Sequence, residues 1–273
     1  MAAAVDRTVI RQAAQNLRTG QRLLVLAGAG LSADAGVPTF RDAAGYWRHH
    51  DPERLASAAG FAADPELVWE WYRERREQVA GCQPHQGQRS LALLQRHLPY
   101  PGRVLMATTN EDDLLERAGC QNVVHLHGEL FITRCAGDGC VWQRSDGADS
   151  GLSFLPCPRC GGRVRPGSIW FGEPVPPLAL GRIERFRADA CLVVGSSALV
   201  QPVAAIPPEL ALAGAPVVEI NPIETPLSRL ATVWLRGGAV ELLPHLVDEL
   251  TSATIRHQSR EIDMGDAPTD SGL

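Results

Sequence analysis

The stretch from Gln21 to Ser32, QRLLVLAGAGLS, decides the fold. Its apolar run, Leu23 to Ala27, does not alternate with polar residues, which is the pattern of a strand buried on both faces of a parallel sheet. The run breaks into Gly28-Ala29-Gly30, and the polar Ser32 follows. A strand opening into a glycine-rich turn starts a nucleotide-binding βα unit, where backbone N–H groups can cradle phosphate. The third glycine of the usual dinucleotide fingerprint is missing, so this turn alone leaves an ordinary tight turn open.

Outward from that stretch the same pattern repeats. RVLMATTN (103–110), NVVHLHG (122–128), ACLVVGSS (190–197) and PVVEINP (216–222) are short apolar runs ending in small or polar residues. In an open parallel sheet those carboxyl ends face the ligand. Helical patterns precede and separate the runs, over 6–19, 64–80, 88–97, 111–118, 177–187 and 201–213. The expected class is α/β, a Rossmann-like parallel sheet with a smaller inserted lobe. The sheet domain is expected over 1–45, 98–130 and 165–251. The lobe takes 46–97, which holds no strand pattern, and 131–164, which is rich in Cys, Gly and Pro. From 252 to 273 the chain is polar and without periodicity, which predicts a disordered tail.

Charge narrows the partners. The net charge of −5 and pI near 5.9 give no global attraction for nucleic acid or anionic membrane. All 26 basic residues are arginine, so the chain offers no lysine for modification. No apolar run approaches the roughly 18 residues of a spanning helix. The first residues lack the apolar core of a secretory signal, so a cytoplasmic protein is expected.

Four of the seven cysteines fall in two short knuckles, Cys135-x4-Cys140 and Cys157-x2-Cys160. Thiolates in this spacing supply a closed tetrahedral site, so one structural zinc is expected. The loop over 136–156 carries three aspartates and makes a poor phosphate grip, so no nucleic-acid partner is expected. Cys82, Cys120 and Cys191 read as ordinary buried thiols.

GAGLSADAGVPTFRDAAGYW (28–47), TTNEDDLLERAG (108–119), LHG (126–128), RPGSIWFGE (165–173), VVGSSALVQP (193–202) and EIN (219–221) stand in this order around the cysteine pairs. Together they resemble the sirtuins, the NAD-dependent protein deacylases, over about residues 20 to 250. The resemblance implies NAD as a consumed co-substrate and acyl-lysine proteins or peptides as partners. Gly28, Ala29 and Gly30 would approach the diphosphate, with Ser32 near it. Phe40, Arg41 and Trp47 would belong to the segment over the nicotinamide ribose. Gly195, Ser196 and Ser197 would line the adenosine side, with Asn221 on its ribose and Ala239 beside it. Thr109, Asn110, Glu111 and Asp112 would flank the nicotinamide ribose and carboxamide, with Asn110 and Asp112 also serving catalysis.

His127 would be the catalytic base. The acyl oxygen attacks the ribose carbon as nicotinamide leaves, and a ribose hydroxyl must then be deprotonated, which suits a near-neutral histidine. The products would be free lysine, nicotinamide and O-acyl-ADP-ribose. His125, on the opposite face, is read as structural. The acyl-lysine peptide would lie along 167–172, pairing its backbone there, with Ile169 and Phe171 as contacts.

Tyr72 and Arg75, spaced i, i+3, share a helix face, and a phenol beside a guanidinium fork suits a carboxylate. Sirtuins that remove succinyl, malonyl and glutaryl groups carry such a Tyr-x-x-Arg pair, with a small residue in the place of Ala56. Desuccinylation or demalonylation is therefore expected, with deacetylation beside it. Arg73, Arg75 and Arg76 also read as a solvated arginine face. Two positions depart from the family pattern: Thr109 stands for glutamine, and Glu111 for an apolar residue near the nicotinamide exit, which predicts slow turnover or altered nicotinamide inhibition. His85 and Gln88 replace an asparagine and a histidine. Competing readings are a pure deacetylase, a protein mono-ADP-ribosyltransferase and a non-catalytic NAD-sensing module. A monomer is expected.

Overall fold

A computed structural model describes residues 6–39, 52–98, 102–146 and 155–265. The helices are α1 (Arg7–Arg18), α2 (Ala29–Ala33), α3 (Pro52–Leu55), α4 (Ala58–Ala63), α5 (Pro65–Gly81), α6 (Gln86–His97), α7 (Leu114–Ala118), α8 (Pro177–Phe186), α9 (Ile206–Leu212) and α10 (Ala239–Gly265). The strands are β1 (Leu23–Ala27), β2 (Val104–Thr108), β3 (Val124–His125), β4 (Gly128–Cys135), β5 (Gln143–Ser145), β6 (Val164–Ser168), β7 (Ala190–Val194), β8 (Val217–Ile220) and β9 (Val233–Leu235).

Six strands form one sheet in the order β3-β2-β1-β7-β8-β9, all parallel where they pair. Every residue of β1, β7 and β8 is buried, as their unbroken apolar runs require. The chain steps outward one way from β1 through β2 to β3, then returns to the other flank of β1 for β7, β8 and β9. The direction therefore switches between β1 and β7, where open sheets bind ligands beyond their carboxyl ends.

The second sheet, β5-β4-β6, is antiparallel and carries the cysteines. With α5 it encloses a separate core of Phe61, Val68, Trp69, Tyr72, Leu130 and Trp170. Between β3 and β4 the chain passes from the large sheet to the small one across just two residues, Leu126 and His127, and it returns between β6 and β7.

Two expectations change. Residues 86–97 were grouped with the small lobe, yet α6 buries Leu91, Ala92 and Leu94 in the large core beside Leu243 and Leu246 of α10. Its apolar face, and not its place in the chain, decides which sheet it serves. Of the tail expected over 252–273, residues 252–265 continue α10 to Gly265, and 266–273 lie outside the described residues. No glycine or proline interrupts 252–264, so nothing in that stretch breaks the helix. No helix among the described residues is long and apolar enough to cross a membrane.

Candidate active site

A cavity of about 550 Å³ opens at the switch point between β1 and β7. Gly28, Ala29, Gly30 and Ser32 line it after β1, and Gly195, Ser196 and Ser197 after β7. Thr109, Asn110, Glu111, Asp112 and His127 form another wall, Arg75 reaches it from α5, and Asn221 and Ala239 close the far side.

The glycine turn packs tightly. A Cβ on Gly28 would lie 2.6 Å from Ser196 Cα, and one on Gly30 would lie 2.9 Å from Gly195 Cα. Gly195 itself has φ +62, and its own Cβ would lie 2.4 Å from Leu31 N. Side chains at these positions would drive the two loops apart. The Gly30 N–H donates to Gly195 O at 2.9 Å, so it fastens the loops together and is not a spare donor for phosphate.

Asn110 is fixed by three bonds. Its N–H donates to Thr108 Oγ1 (2.9 Å), and its Nδ2 donates to Gly28 O (3.1 Å) and Ser32 Oγ (2.9 Å). With both amide hydrogens spent, Asn110 offers a ligand its carbonyl oxygen Oδ1. Burial raises the Asp112 carboxyl above its ordinary value, against the Ser32 hydroxyl and the Leu114 amide, which donates at 3.1 Å. Asn221 Nδ2 donates to Ser196 O at 2.7 Å and its carbonyl accepts Trp234 Nε1 at 3.0 Å, tying β8 to the loop after β7.

His127 sits at the crossing between the sheets. Burial lowers its pKa below the ordinary histidine value, with the Thr109 backbone pulling the other way. Its carbonyl accepts Ile169 N–H at 2.8 Å, which fixes the crossing to the segment after β6. Gly128, next along, has φ +78, and a Cβ there would lie 2.2 Å from Gly167 O. Only glycine fits that position. His125 is structural: Nε2 meets Glu116 Oε1 at 2.8 Å and Nδ1 meets Asn110 O at 3.0 Å. Burial would lower its pKa, but the Glu116 carboxylate outweighs it and raises the net value.

The solvated arginine face is overturned for two of its three members. Arg75 and Arg76 are buried, while Arg73 is exposed. Arg76 stitches α5 to β4, donating from Nε to Leu130 O (2.7 Å) and from Nη2 to Ile132 O (2.9 Å), with Asp146 Oδ2 at 3.7 Å from Nη1. Arg75 Nη1 lies 3.1 Å from Glu111 Oε2, so the carboxylate that the sequence places near the nicotinamide exit has a cation against it. Tyr72 is 1% exposed, accepts Trp170 Nε1 at 3.1 Å and does not line the cavity. Burial pushes its phenol well above its ordinary pKa.

Ala56, Ile169 and Phe171 also lie outside the cavity lining. Phe171 N–H donates to Ala56 O at 2.9 Å, and Trp170 N–H to Glu173 Oε2 at 2.9 Å. With Ile169 donating to His127, every N–H from 169 to 171 is spent within the chain. A peptide strand expected along 167–172 therefore finds no free donor over these three residues. Phe40, Arg41 and Trp47 lie outside the described residues.

Several further charged positions shape the site. Arg165 and Arg134 both engage Glu173, and the Arg165 guanidinium lies 3.3 Å from the Trp170 ring centroid, which sets the shape of 168–173. Glu219, fully buried, accepts Thr225 Oγ1 and Ser228 Oγ at 2.6 Å each and anchors the loop whose Ile223 and Glu224 line the cavity. A charged residue in the apolar run before Asn221 was the available signal for Glu219, and Arg165 and Glu173 stand at the two ends of RPGSIWFGE (165–173).

The four Sγ atoms of Cys135, Cys140, Cys157 and Cys160 lie within 4.8 Å of one another. Thiolates about 2.3 Å from a tetrahedral zinc stand roughly 3.8 Å apart. The 3.4 Å between Cys135 and Cys160 and the 3.8 Å between Cys140 and Cys157 fit that ion. Gly137 N–H donates to Cys135 Sγ at 3.2 Å, support from outside the ligand set. The other three thiols are buried, and burial pushes Cys120 and Cys191 up to about 12, as inert core groups.

A parallel sheet with a cavity at its switch point, beside a lobe fitted for zinc, defines a nucleotide-binding α/β protein, and the cavity's glycine turns and amide and carboxyl groups fit a dinucleotide. The Sir2 family model matches residues 28–202. An "NAD-dependent protein deacylase 1" of Archaeoglobus fulgidus is 43% identical over 236 residues, covering 85% of this chain and 94% of that protein. A solved Sir2 homologue–NAD complex is 41% identical with a TM-score of 0.80, covering 91% of this chain and 94% of that one. Sir2Af2 bound to a myristoylated histone peptide is 28% identical with a TM-score of 0.70, covering 92% of this chain and all of that one. The chain belongs to the Sir2 family.

Proposed function

We propose that this chain is an NAD-dependent protein-lysine deacylase, releasing free lysine, nicotinamide and O-acyl-ADP-ribose. One observation carries the reading. His127, held toward its neutral form by burial, shares a cavity with Asn110, Asp112 and the Gly28–Gly30 turn at the sheet's switch point. NAD, when bound, supplies the ribose carbon that takes the acyl oxygen and the nicotinamide that leaves. Gly28, Ala29, Gly195, Ser196 and Asn221 hold the nucleotide. Asn110 Oδ1 and the Asp112 carboxyl hold and orient the nicotinamide half. His127 accepts a proton from a sugar hydroxyl at a ring nitrogen, which needs the neutral imidazole at working pH.

This reading assigns the acyl group to the lobe side of the cavity, the side to which Arg75 belongs. Tyr72 acts behind Arg75, its ring 5.6 Å from the guanidinium carbon, and packs it from below. Acetyl and short dicarboxylic groups both belong to the substrate class. The test uses one peptide carrying acetyl-, succinyl- or malonyl-lysine, with NAD, followed by mass spectrometry. Loss of the acyl mass with appearance of O-acyl-ADP-ribose, abolished in His127→Ala, is the expected result. ADP-ribose left on the peptide would overturn the reading in favour of a transferase.

A further inference from the structure

We infer that Glu111 is a built-in counter-ion that occupies Arg75 and steers the deacylase toward neutral acyl groups, against acyl chains ending in a carboxylate. The inference rests on the deacylase reading and adds the choice of acyl class. Three observations support it. Glu111 Oε2 and Arg75 Nη1 lie 3.1 Å apart, with side chains 11% and 6% exposed. Both residues line the cavity that holds His127 and Asn110, so the pair stands where a ligand arrives and not deep in a core. The guanidinium carbon also sits 4.6 Å from the Trp71 ring centroid, so one flank of Arg75 is covered by an aromatic ring.

The backbone reinforces this placement. Glu111 O accepts Leu130 N–H at 2.7 Å, which pins the main chain while the side chain reaches α5. A carboxylate arriving on an acyl chain would bring a second anion to a guanidinium already matched in charge. It must displace Glu111, and the displaced carboxylate would stay in a closed site without its cation, which is costly. A neutral acyl group leaves the pair intact. Burial raises the Glu111 carboxyl above its ordinary value, and the neighbouring Arg75 guanidinium opposes that rise by stabilising the anion.

The experiment uses the full chain with zinc and compares kcat/KM for succinyl-lysine and acetyl-lysine versions of one peptide at saturating NAD. The succinyl-to-acetyl ratio is expected below one in the wild type. Glu111→Gln removes the charge at constant size and is expected to raise that ratio about tenfold or more, the scale of one charge-assisted hydrogen bond. Glu111→Gln with Arg75→Met is expected to lose the gain, which a merely structural role for Glu111 would not produce. A ratio in Glu111→Gln within about twofold of wild type would overturn the inference while acetyl turnover kept the deacylase reading.

A wild-type preference for succinyl would also overturn it, and that measurement needs no variant to fold. Anisotropy binding of the two labelled peptides to the same proteins separates the two failures. Binding in the expected ratio without turnover supports the acyl selection and sinks the proposed chemistry. No binding of either peptide to any form overturns both.

Discussion

The large sheet and the cysteine-bearing lobe are held together by different physics. In the large sheet β1, β7 and β8 are buried end to end and two apolar clusters cover the faces, so burial of hydrocarbon does most of the work. The lobe has three strands, of which β5 is exposed along its whole length, and its core includes two of the thiols, Cys135 and Cys157. It relies on polar fasteners: four thiols fitted for zinc, Arg76 on the β4 carbonyls, and Arg165 and Arg134 on Glu173. The candidate site lies at the seam: Gly28, Gly30, Gly195 and Asn221 line it from the first region, and Arg75 and Leu130 from the second. Damage to one region should therefore not be damage to the other.

The harshest test removes the metal. Structural zinc sites of this type contribute roughly 10–16 kcal/mol of coupled folding free energy in small peptides. Chelation, or Cys157→Ser, should unfold the lobe and abolish deacylation, while the helical circular dichroism of the large sheet domain largely persists. Zinc content, circular dichroism and activity measured on one sample decide it. A single cooperative collapse of both regions would break the comparison.

His127 lines the cavity and belongs to none of the apolar cores, so its variant should cost chemistry and spare both regions. His127→Ala is expected to lower kcat by about 10²- to 10⁴-fold, with nucleotide affinity measured by calorimetry little changed. The wild-type pH profile carries a signed prediction. Burial depresses the His127 pKa, so the imidazole stays neutral to a lower pH than an ordinary histidine. The acid limb of kcat should then fall below about 6.5, with activity lost as pH drops through it. The same depression means that charging His127 in acid also weakens the folded state. An acid limb above that value would show that His127 is not buried as described.

Arg76 sharpens the contrast from the lobe side. Removing it takes the guanidinium from Leu130 O and Ile132 O and leaves the buried Asp146 carboxylate with Arg144 as its cation. Arg76→Met should cost about 3–5 kcal/mol, read as an early, separate step in urea unfolding followed by tryptophan fluorescence. Trp69 and Trp170 lie in that core and report on it directly. Arg73→Met, on an exposed side chain of the same helix, serves as the control and should change almost nothing.

How much of this was legible followed the same division. Apolar runs announce buried strands, so five of the six parallel strands and their ligand-facing ends were readable, while β9, three residues long, was not. Cysteine spacing announced the thiol cluster. Chain position misled for α6, because a helix declares which core it serves only through its packing. Arginine spacing misled as well: Arg73, Arg75 and Arg76 look alike in sequence, yet one is solvated, one faces Glu111 and one holds a strand. The partner decides the role, and Glu111 lies 36 residues beyond Arg75, too far for any local pattern to link them.

The smallest effect concerns His85 and Gln88, which the sequence reading left without a role. His85 caps α6: its Nδ1 accepts Gly87 N–H at 3.0 Å, while Gln88 Oε1 accepts His85 N–H at 3.0 Å. A ring nitrogen that accepts leaves the proton on the other, so Nε2 donates to Leu31 O at 2.7 Å and fixes α6 to α2. The residue thus performs an asparagine's capping and adds a bond across to the glycine turn. His85→Ala should cost about 1 kcal/mol in thermal unfolding, the usual loss of a cap. His85→Asn should recover the cap but not the bond to Leu31, and so fall between the two. Because Leu31 follows directly on Gly30, the Asn variant also asks whether the large region's tight packing needs a polar tether. An Asn variant as stable as wild type would show that apolar packing alone holds the turn.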